Sequence, residues 1–124
     1  MVILDTCGII ELCKTKPHFS NHILDKINKG AIILSVSFAE IACKIKAKKL
    51  SLDITTEELY ENYSQIPSIQ IINIGVEEWL DSIALNWEEK DPADRLLVGY
   101  AKKNNYYIIT SDKKIKKYYK KTYW

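Results

Sequence analysis

The stretch "MVILD", residues 1–5, joins a short, uninterrupted apolar run to a carboxylate. Three further runs have a similar character: "AIILS" at 31–35, "SIQIINI" at 68–74 and "YYIITSD" at 106–112. Strands that are buried on both faces have this composition, because neither face meets water. The four runs therefore predict the strands of a mostly parallel sheet with helices on both of its faces.

Segments with helical spacing of apolar residues alternate with the predicted strands. Gly30 is the expected stop of the first long helix, and Thr55 with Glu58 forms a capping box at the start of another. The expected helices are 6–13, 17–30, 37–50, 55–63, 76–87, 92–105 and 113–119, and "KTYW" at 121–124 is a candidate edge strand. We expect one α/β domain that spans residues 1–124.

The composition is that of an ordinary soluble globular protein, with 47% hydrophobic and 27% charged residues. No apolar run approaches the roughly 20 residues of a membrane span, and Asp5 interrupts the N-terminus before a signal peptide of usual length. The three cysteines, Cys7, Cys13 and Cys43, contain no CxxC pair, which argues against a disulfide framework or a zinc ribbon. We expect a cytoplasmic protein.

The net charge of +2 conceals three regions of opposite sign. Residues 1–50 carry eight lysines against four acids, residues 51–94 carry eleven acids against one lysine, and residues 95–124 carry nine cations against one acid. This pattern fits a protein that holds cations beside a polyanion, and it fits a set of solvated helix faces equally well.

The stretch "KDPADRLL", residues 90–97, has two interpretations. Pro92 suits the first position of a helix, which makes Asp91 the N-cap and places Asp94 near the positive end of the helix dipole. Both acids are thereby explained as helix-starting residues. The same two carboxylates, three residues apart, are also suited to hold a metal ion.

The positions of the other acids favour the metal interpretation. Asp5 and Asp112 each end a predicted strand, and Glu40 lies in the first turns of the helix after the second strand. Because ligands bind at the carboxyl ends of parallel strands, we expect acids from four segments to meet at one edge of the sheet. Such a cluster repels itself and needs a cation, and carboxylates without histidine or cysteine favour Mg²⁺ or Mn²⁺.

The blocks "VILDTCGII", "SVSFAEIACKIKAKKLSL" and "DPADRLLVGYAKKNNYYIITSDKKI", with the terminal Trp124, resemble in order those of PIN-domain ribonucleases, most closely VapC-like toxins. The resemblance runs over nearly the whole chain. It implies a PIN-like three-layer α/β/α sandwich with a mostly parallel central sheet, usually a homodimer. It also implies Mg²⁺- or Mn²⁺-dependent cleavage of RNA and a cognate antitoxin protein that blocks the site.

The resemblance also implies roles for individual residues. The catalytic acids would be Asp5, Glu40, Asp94 and Asp112, with Asp91 as a further metal ligand, and the supporting hydroxyls would be Thr6, Thr110 and Ser111. The chain departs from the family pattern where Cys7 replaces a histidine, Glu11 a tryptophan, and Glu88 and Glu89 a pair of histidines. These departures concern substrate choice and the shape of the groove.

Two further groups of residues have competing interpretations. Lys113, Lys114, Lys116 and Lys117, followed by tyrosines, resemble an RNA-contacting surface, or else a solvated last helix beside a lysine-guarded edge strand. His18 and His22 have a spacing that can hold zinc on one helix face, but no third ligand is evident.

We therefore expect a metal-dependent endoribonuclease that hydrolyses RNA phosphodiester bonds, as the toxin of a toxin–antitoxin pair. The alternative is a catalytically weak or inactive PIN-like domain with an RNA-binding or regulatory role. The intact acids favour the enzyme, and the replaced histidines favour the alternative. A nuclease that acts on DNA is a third possibility, because metal chemistry does not select the sugar.

Overall fold

A computed structural model describes residues 1–124 as a five-stranded sheet with seven helices. The strands are β1 (Val2–Leu4), β2 (Ala31–Leu34), β3 (Ile69–Ile72), β4 (Tyr107–Ile109) and β5 (Thr122–Tyr123). The helices are α1 (Thr6–Leu12), α2 (Asn21–Asn28), α3 (Ser35–Lys46), α4 (Thr56–Ser64), α5 (Val76–Ile83), α6 (Pro92–Asn104) and α7 (Lys113–Tyr118).

The sheet has the strand order β3-β2-β1-β4-β5, and every neighbouring pair is parallel. The predicted parallel sheet is therefore confirmed. The chain moves outward from β1 to β3 on one side and from β4 to β5 on the other, so the topological switch point lies between β1 and β4. Leu4 pairs with Ile109, which places Asp5 beside Thr110 just beyond the ends of these two strands.

Two hydrophobic clusters lie on opposite faces of the sheet. Within β1, Leu4 packs into one cluster and Ile3 into the other, and both side chains are fully buried. Residues that alternate along a strand point to opposite faces, so a strand covered on both sides needs an apolar residue at each position. This arrangement confirms the three-layer α/β/α architecture and explains the uninterrupted apolar run.

Some helix boundaries differ from those expected. The helix expected from residue 17 begins at Asn21, because the side chain of Ser20 accepts the backbone N–H of Ile23 and caps it. The capping box of Thr55 and Glu58 is present as predicted. None of the helices combines the length and apolar character that a membrane crossing requires.

Candidate metal centre

Carboxylates from four segments line one cleft of about 180 Å³ at the carboxyl edge of the sheet. The acids in it are Asp5, Glu40, Asp91, Asp94 and Asp112. Carboxylate oxygens of Glu40, Asp91 and Asp94 lie within 4.8 Å of one another. The cleft thus brings together all five acids that the sequence singled out.

Three of these acids also cap helices that begin at the cleft. Asp5, Asp91 and Asp112 are the N-caps of α1, α6 and α7, and Oδ1 of each accepts a backbone N–H at 2.8–2.9 Å. In Asp91 and Asp112 the second oxygen accepts no hydrogen bond from the protein, so capping leaves it free for a cation. The capping and metal-binding interpretations of Asp91 are therefore compatible.

Asp94 differs from the three capping acids. It lies in the first turn of α6, but its half-buried carboxylate accepts no hydrogen bond from the protein. Its backbone N–H donates to Asp91 at 3.4 Å, so the cap function of this turn belongs to Asp91. Helix capping does not account for the carboxylate of Asp94.

Two buried threonines fix the orientation of carboxylates in the cleft. The hydroxyl of Thr110 donates to Oδ2 of Asp5, and the hydroxyl of Thr6 donates to Oε1 of Glu40. Thr110 also accepts the backbone N–H of Asp112 at 3.0 Å, which links the ends of β1 and β4. Ser111 makes no hydrogen bond to a carboxylate, and its hydroxyl lies beside the thiol of Cys7 instead.

Burial and crowding change the titration of two of these acids, Asp5 and Asp94. Burial raises the pKa of Asp5 to about 6, with smaller contributions from repulsion by Asp112 and Glu40. Burial also raises the pKa of Asp94 to about 7, and the nearby charge of Asp91 raises it further than the other acids do. Both shifts mean that the folded protein resists the full ionisation of the cluster.

The donor set of the cleft fits a hard divalent cation. Its charged oxygens are all carboxylates, and only two cations line it, Lys44 and Lys114. Lys114 is paired with Glu89 at 2.9 Å, which leaves the acids largely uncompensated. Burial and the charge of Asp5 raise the pKa of the Cys7 thiol, which opposes a thiolate ligand. Mg²⁺ and Mn²⁺ suit these donors better than zinc does.

The lysines of α7 divide into two pairs. Lys114 lines the acidic cleft, and Lys114 and Lys117 line a neighbouring groove, whereas Lys113 and Lys116 line neither. The tyrosine that follows the helix belongs to the framework, because the hydroxyl of Tyr119 donates to two backbone carbonyls. Of the four lysines in the predicted RNA-contacting surface, Lys114 and Lys117 therefore border the cleft or the groove beside it.

The histidine pair and Glu11 lie outside the cleft. His18 and His22 are exposed, and the ring of His22 packs edge-on against Tyr123 at 5.5 Å. They form no group with an acid or a cysteine that could hold an ion. Glu11 is buried and accepts the backbone N–H of His18 at 3.1 Å and the ammonium of Lys14 at 3.0 Å, so it closes the loop after α1.

Arg95 positions the segment that leads into α6, a role that the sequence analysis missed. Its guanidinium donates to the carbonyl oxygens of Ile83, Leu85, Trp87 and Glu89 at 2.5–3.2 Å. We expected α5 to reach residue 87, but it ends at Ile83. The carbonyl groups of residues 83–89 that bond to Arg95 point toward the start of α6 and do not continue the helix. A cation in the first turn of a helix is unfavourable, because it lies near the positive end of the helix dipole. This unfavourable placement was the one sequence signal that Arg95 has a structural role.

The titration of Asp94 can be measured through stability. The unfolded chain ionises this acid near its ordinary pKa of 3.8 and the folded one near about 7, so charging it destabilises the metal-free fold as the pH rises through that window. Asp94→Asn should therefore raise the free energy of unfolding by about 1–2 kcal/mol above pH ~7, since solvent screens part of the repulsion. This increase in the free energy of unfolding over the wild type should vanish near pH ~4, where Asp94 is protonated in the folded protein.

Chemical denaturation of the metal-free proteins at a series of pH values measures this difference. Asp53→Asn is the matched control, because Asp53 is exposed and lies outside the cleft. If Asp94→Asn destabilises the protein at neutral pH, the carboxylate supports the helix and does not repel its neighbours.

Comparisons with known proteins agree with this architecture. A toxin–antitoxin complex from Klebsiella pneumoniae has a chain of similar fold, with a TM-score of 0.70 and 18% identity, over 100% of this chain and 97% of that one. FitAB bound to an IR36 DNA fragment and FitAcB from Neisseria gonorrhoeae both have TM-scores of 0.59 and 17% identity. They cover 90% of this chain and 85% and 88% of their own.

No curated protein matches the chain in sequence. The model of the PIN domain family matches residues 2–121, which is nearly the whole chain. This chain therefore belongs to the PIN domain family.

Proposed function

We propose that this PIN domain, residues 1–124, is a metal-dependent endoribonuclease that hydrolyses RNA phosphodiester bonds. The observation that carries the proposal is the carboxylate of Asp94. It is half-buried, it accepts no hydrogen bond, and it faces Glu40 and Asp91 within 4.8 Å. A group in this position has an unfavourable environment in the free protein and a favourable one beside a divalent cation.

The four acids Asp5, Glu40, Asp94 and Asp112 would hold Mg²⁺ or Mn²⁺, with Asp91 as an additional ligand. A bound divalent ion supplies Lewis acidity and lowers the pKa of water, which suits attack on a phosphodiester. Thr110 and Thr6 keep Asp5 and Glu40 in fixed orientations, so that the carboxylates need little rearrangement when the ion enters.

Lysines on two sides of the cleft would hold the RNA. Lys44 lies on α3 at one side, and Lys114 lies on α7 at the other. On α7, Lys114 and Lys117 line the cleft or the groove beside it and would contact the backbone, whereas Lys113 and Lys116 line neither and would add only long-range attraction. Such a surface attracts the phosphate backbone without selecting a sequence.

We further propose that the chain is the toxin of a toxin–antitoxin pair in the cytoplasm. The fold similarity to a chain of a toxin–antitoxin complex supports this proposal. A cognate antitoxin that inserts an arginine or lysine into the acidic cleft would pair with the carboxylates and exclude the cation.

An exposed apolar face on α5 supports a homodimer. Val76, Leu80 and Ile83 are 75%, 62% and 70% exposed and lie on one side of the helix. Lys103 bonds to Glu77 at 2.7 Å and also pairs with Asp81, which offsets part of the acidic charge beside this face. An apolar strip of this kind is suited to meet its own copy across a two-fold axis.

The enzyme proposal predicts the behaviour of Asp94→Asn in an RNA cleavage assay with Mn²⁺. The variant keeps the shape of the side chain and removes one charge from the cation site. We expect the cleavage rate to fall by roughly 100-fold or more, because an electrostatic group of the reaction site is lost.

Asp53→Asn serves as the control for this assay and should cleave at the wild-type rate. A wild-type protein that binds RNA without cutting it would favour the regulatory alternative. Asp94→Asn that cuts as fast as the wild type would remove Asp94 from the reaction.

The dimer proposal predicts that Leu80→Lys dissociates the protein, because two ammonium groups would be buried against an apolar strip. Size-exclusion chromatography with light scattering measures the mass. Ile66→Lys, which charges an exposed apolar residue outside α5, should leave the dimer intact. A wild-type protein that runs as a monomer contradicts the proposal.

A further inference from the structure

A second cavity lies next to the acidic cleft and shares one residue with it. This groove lies between the 86–90 segment and α7 and has a volume of about 680 Å³. Lys114 lines both the cleft and the groove, so the two adjoin at this residue. A polymer that occupies the cleft would therefore have the groove as its neighbour.

The groove has more cations than acids, whereas the cleft has more acids than cations. Lys90, Lys114 and Lys117 line the groove, against Glu88 and Glu89. Glu89 is only 14% exposed, is paired with Lys114 and also accepts two backbone N–H groups at 3.1 Å, so its charge is largely satisfied. Lys117 is exposed and has no ion-pair partner, which leaves an ammonium group available for a phosphate.

One wall of the groove is aromatic. The rings of Trp87 and Tyr118 stack with centroids 4.8 Å apart and an angle of 13° between their planes, and both residues line the groove. Asn86 is exposed beside them and offers an amide with both donors and an acceptor. Flat aromatic surface, a lone ammonium and an amide are the groups that bind a base, a phosphate and a base edge.

We propose that this groove is a nucleotide subsite for single-stranded RNA, and that it holds a nucleotide next to the phosphate that is cut in the cleft. Lys114 and Lys117 contact its phosphates, the Trp87–Tyr118 wall packs against its base, and Asn86 reads the base edge. The proposal rests on the proposed function of the cleft, and it assigns the RNA contact of α7 to one pair of its four lysines.

The structure supplies the reason why Glu89 matters to this subsite. The side chain of Glu89 joins the 86–90 segment to α7 through Lys114, and Arg95 holds the same segment by the carbonyl oxygens of Trp87 and Glu89. Trp87 is thereby held in a fixed position relative to Tyr118 and the lysines of α7. The groove is consequently formed before RNA arrives.

A charge-removal pair on α7 tests the assignment. We would measure the affinity of Lys117→Met and Lys116→Met for short fluorescent oligo(A), oligo(U) and oligo(C) RNAs by anisotropy, with EDTA present and over a range of salt concentrations. Lys117→Met should weaken binding roughly 5-fold or more and reduce the salt slope by about 0.7, the value for one phosphate contact on a single strand. Lys116→Met should change the affinity less than about 2-fold.

Equal effects of the two substitutions would overturn the subsite, because the helix would then attract RNA by its charge alone. The same proteins are then assayed for RNA cleavage with Mn²⁺. If the wild type cleaves and Lys117→Met has an unchanged KM, the subsite is wrong and the nuclease stands. If Lys117→Met alone loses affinity and no protein cleaves, the subsite stands and the nuclease is wrong.

A fluorescence measurement tests the position of the base. In a protein with Trp79→Phe and Trp124→Phe, Trp87 is the only tryptophan left. Its emission should change on titration with RNA and saturate with the Kd that anisotropy gives. Emission that stays constant while RNA binds would overturn the placement of the base against the aromatic wall.

Discussion

Mutual repulsion among five carboxylates at the switch point of the sheet is the constraint on which the rest of this structure depends. Three helices begin at this edge, and each starts with one of the acids as its N-cap, Asp5, Asp91 or Asp112. The positive ends of the helices and their free N–H groups hold the acids together. Burial of Asp5 and Asp94, together with a smaller contribution from the remaining repulsion, raises the pKa values of these two acids.

The strands and the acidic edge were predictable because both depend on local sequence. A strand buried on two faces must be apolar throughout. An acid directly after such a strand, as Asp5 is, or within a few residues of its end, as Asp112 is, must lie at the edge of the sheet. The contacts of Arg95 and Glu89 were not predictable in this way, and Thr110 was named only through the resemblance to the family. Each depends on segments that meet only in the folded chain, and residue type alone does not specify the partner.

The departures from the family pattern have structural consequences away from the five acids. Glu11 closes the loop after α1 through His18 and Lys14, and Glu89 ties the 86–90 segment to Lys114. Neither carboxylate belongs to the cluster of Glu40, Asp91 and Asp94. The chain therefore keeps the acidic centre and changes the walls around it, where the proposed nuclease would select its substrate.

Binding of Mn²⁺ to the metal-free protein, measured by calorimetry across pH, tests the central claim most directly. We expect Mn²⁺ binding to weaken as the pH falls through about 7 and then 6, because protons compete for Asp94 and Asp5. Asp94→Asn should bind Mn²⁺ much more weakly, and Asp53→Asn should bind it as the wild type does. A protein that ignores Mn²⁺ and binds Zn²⁺ through His18 and His22, or binds Mn²⁺ equally well without Asp94, would contradict this claim.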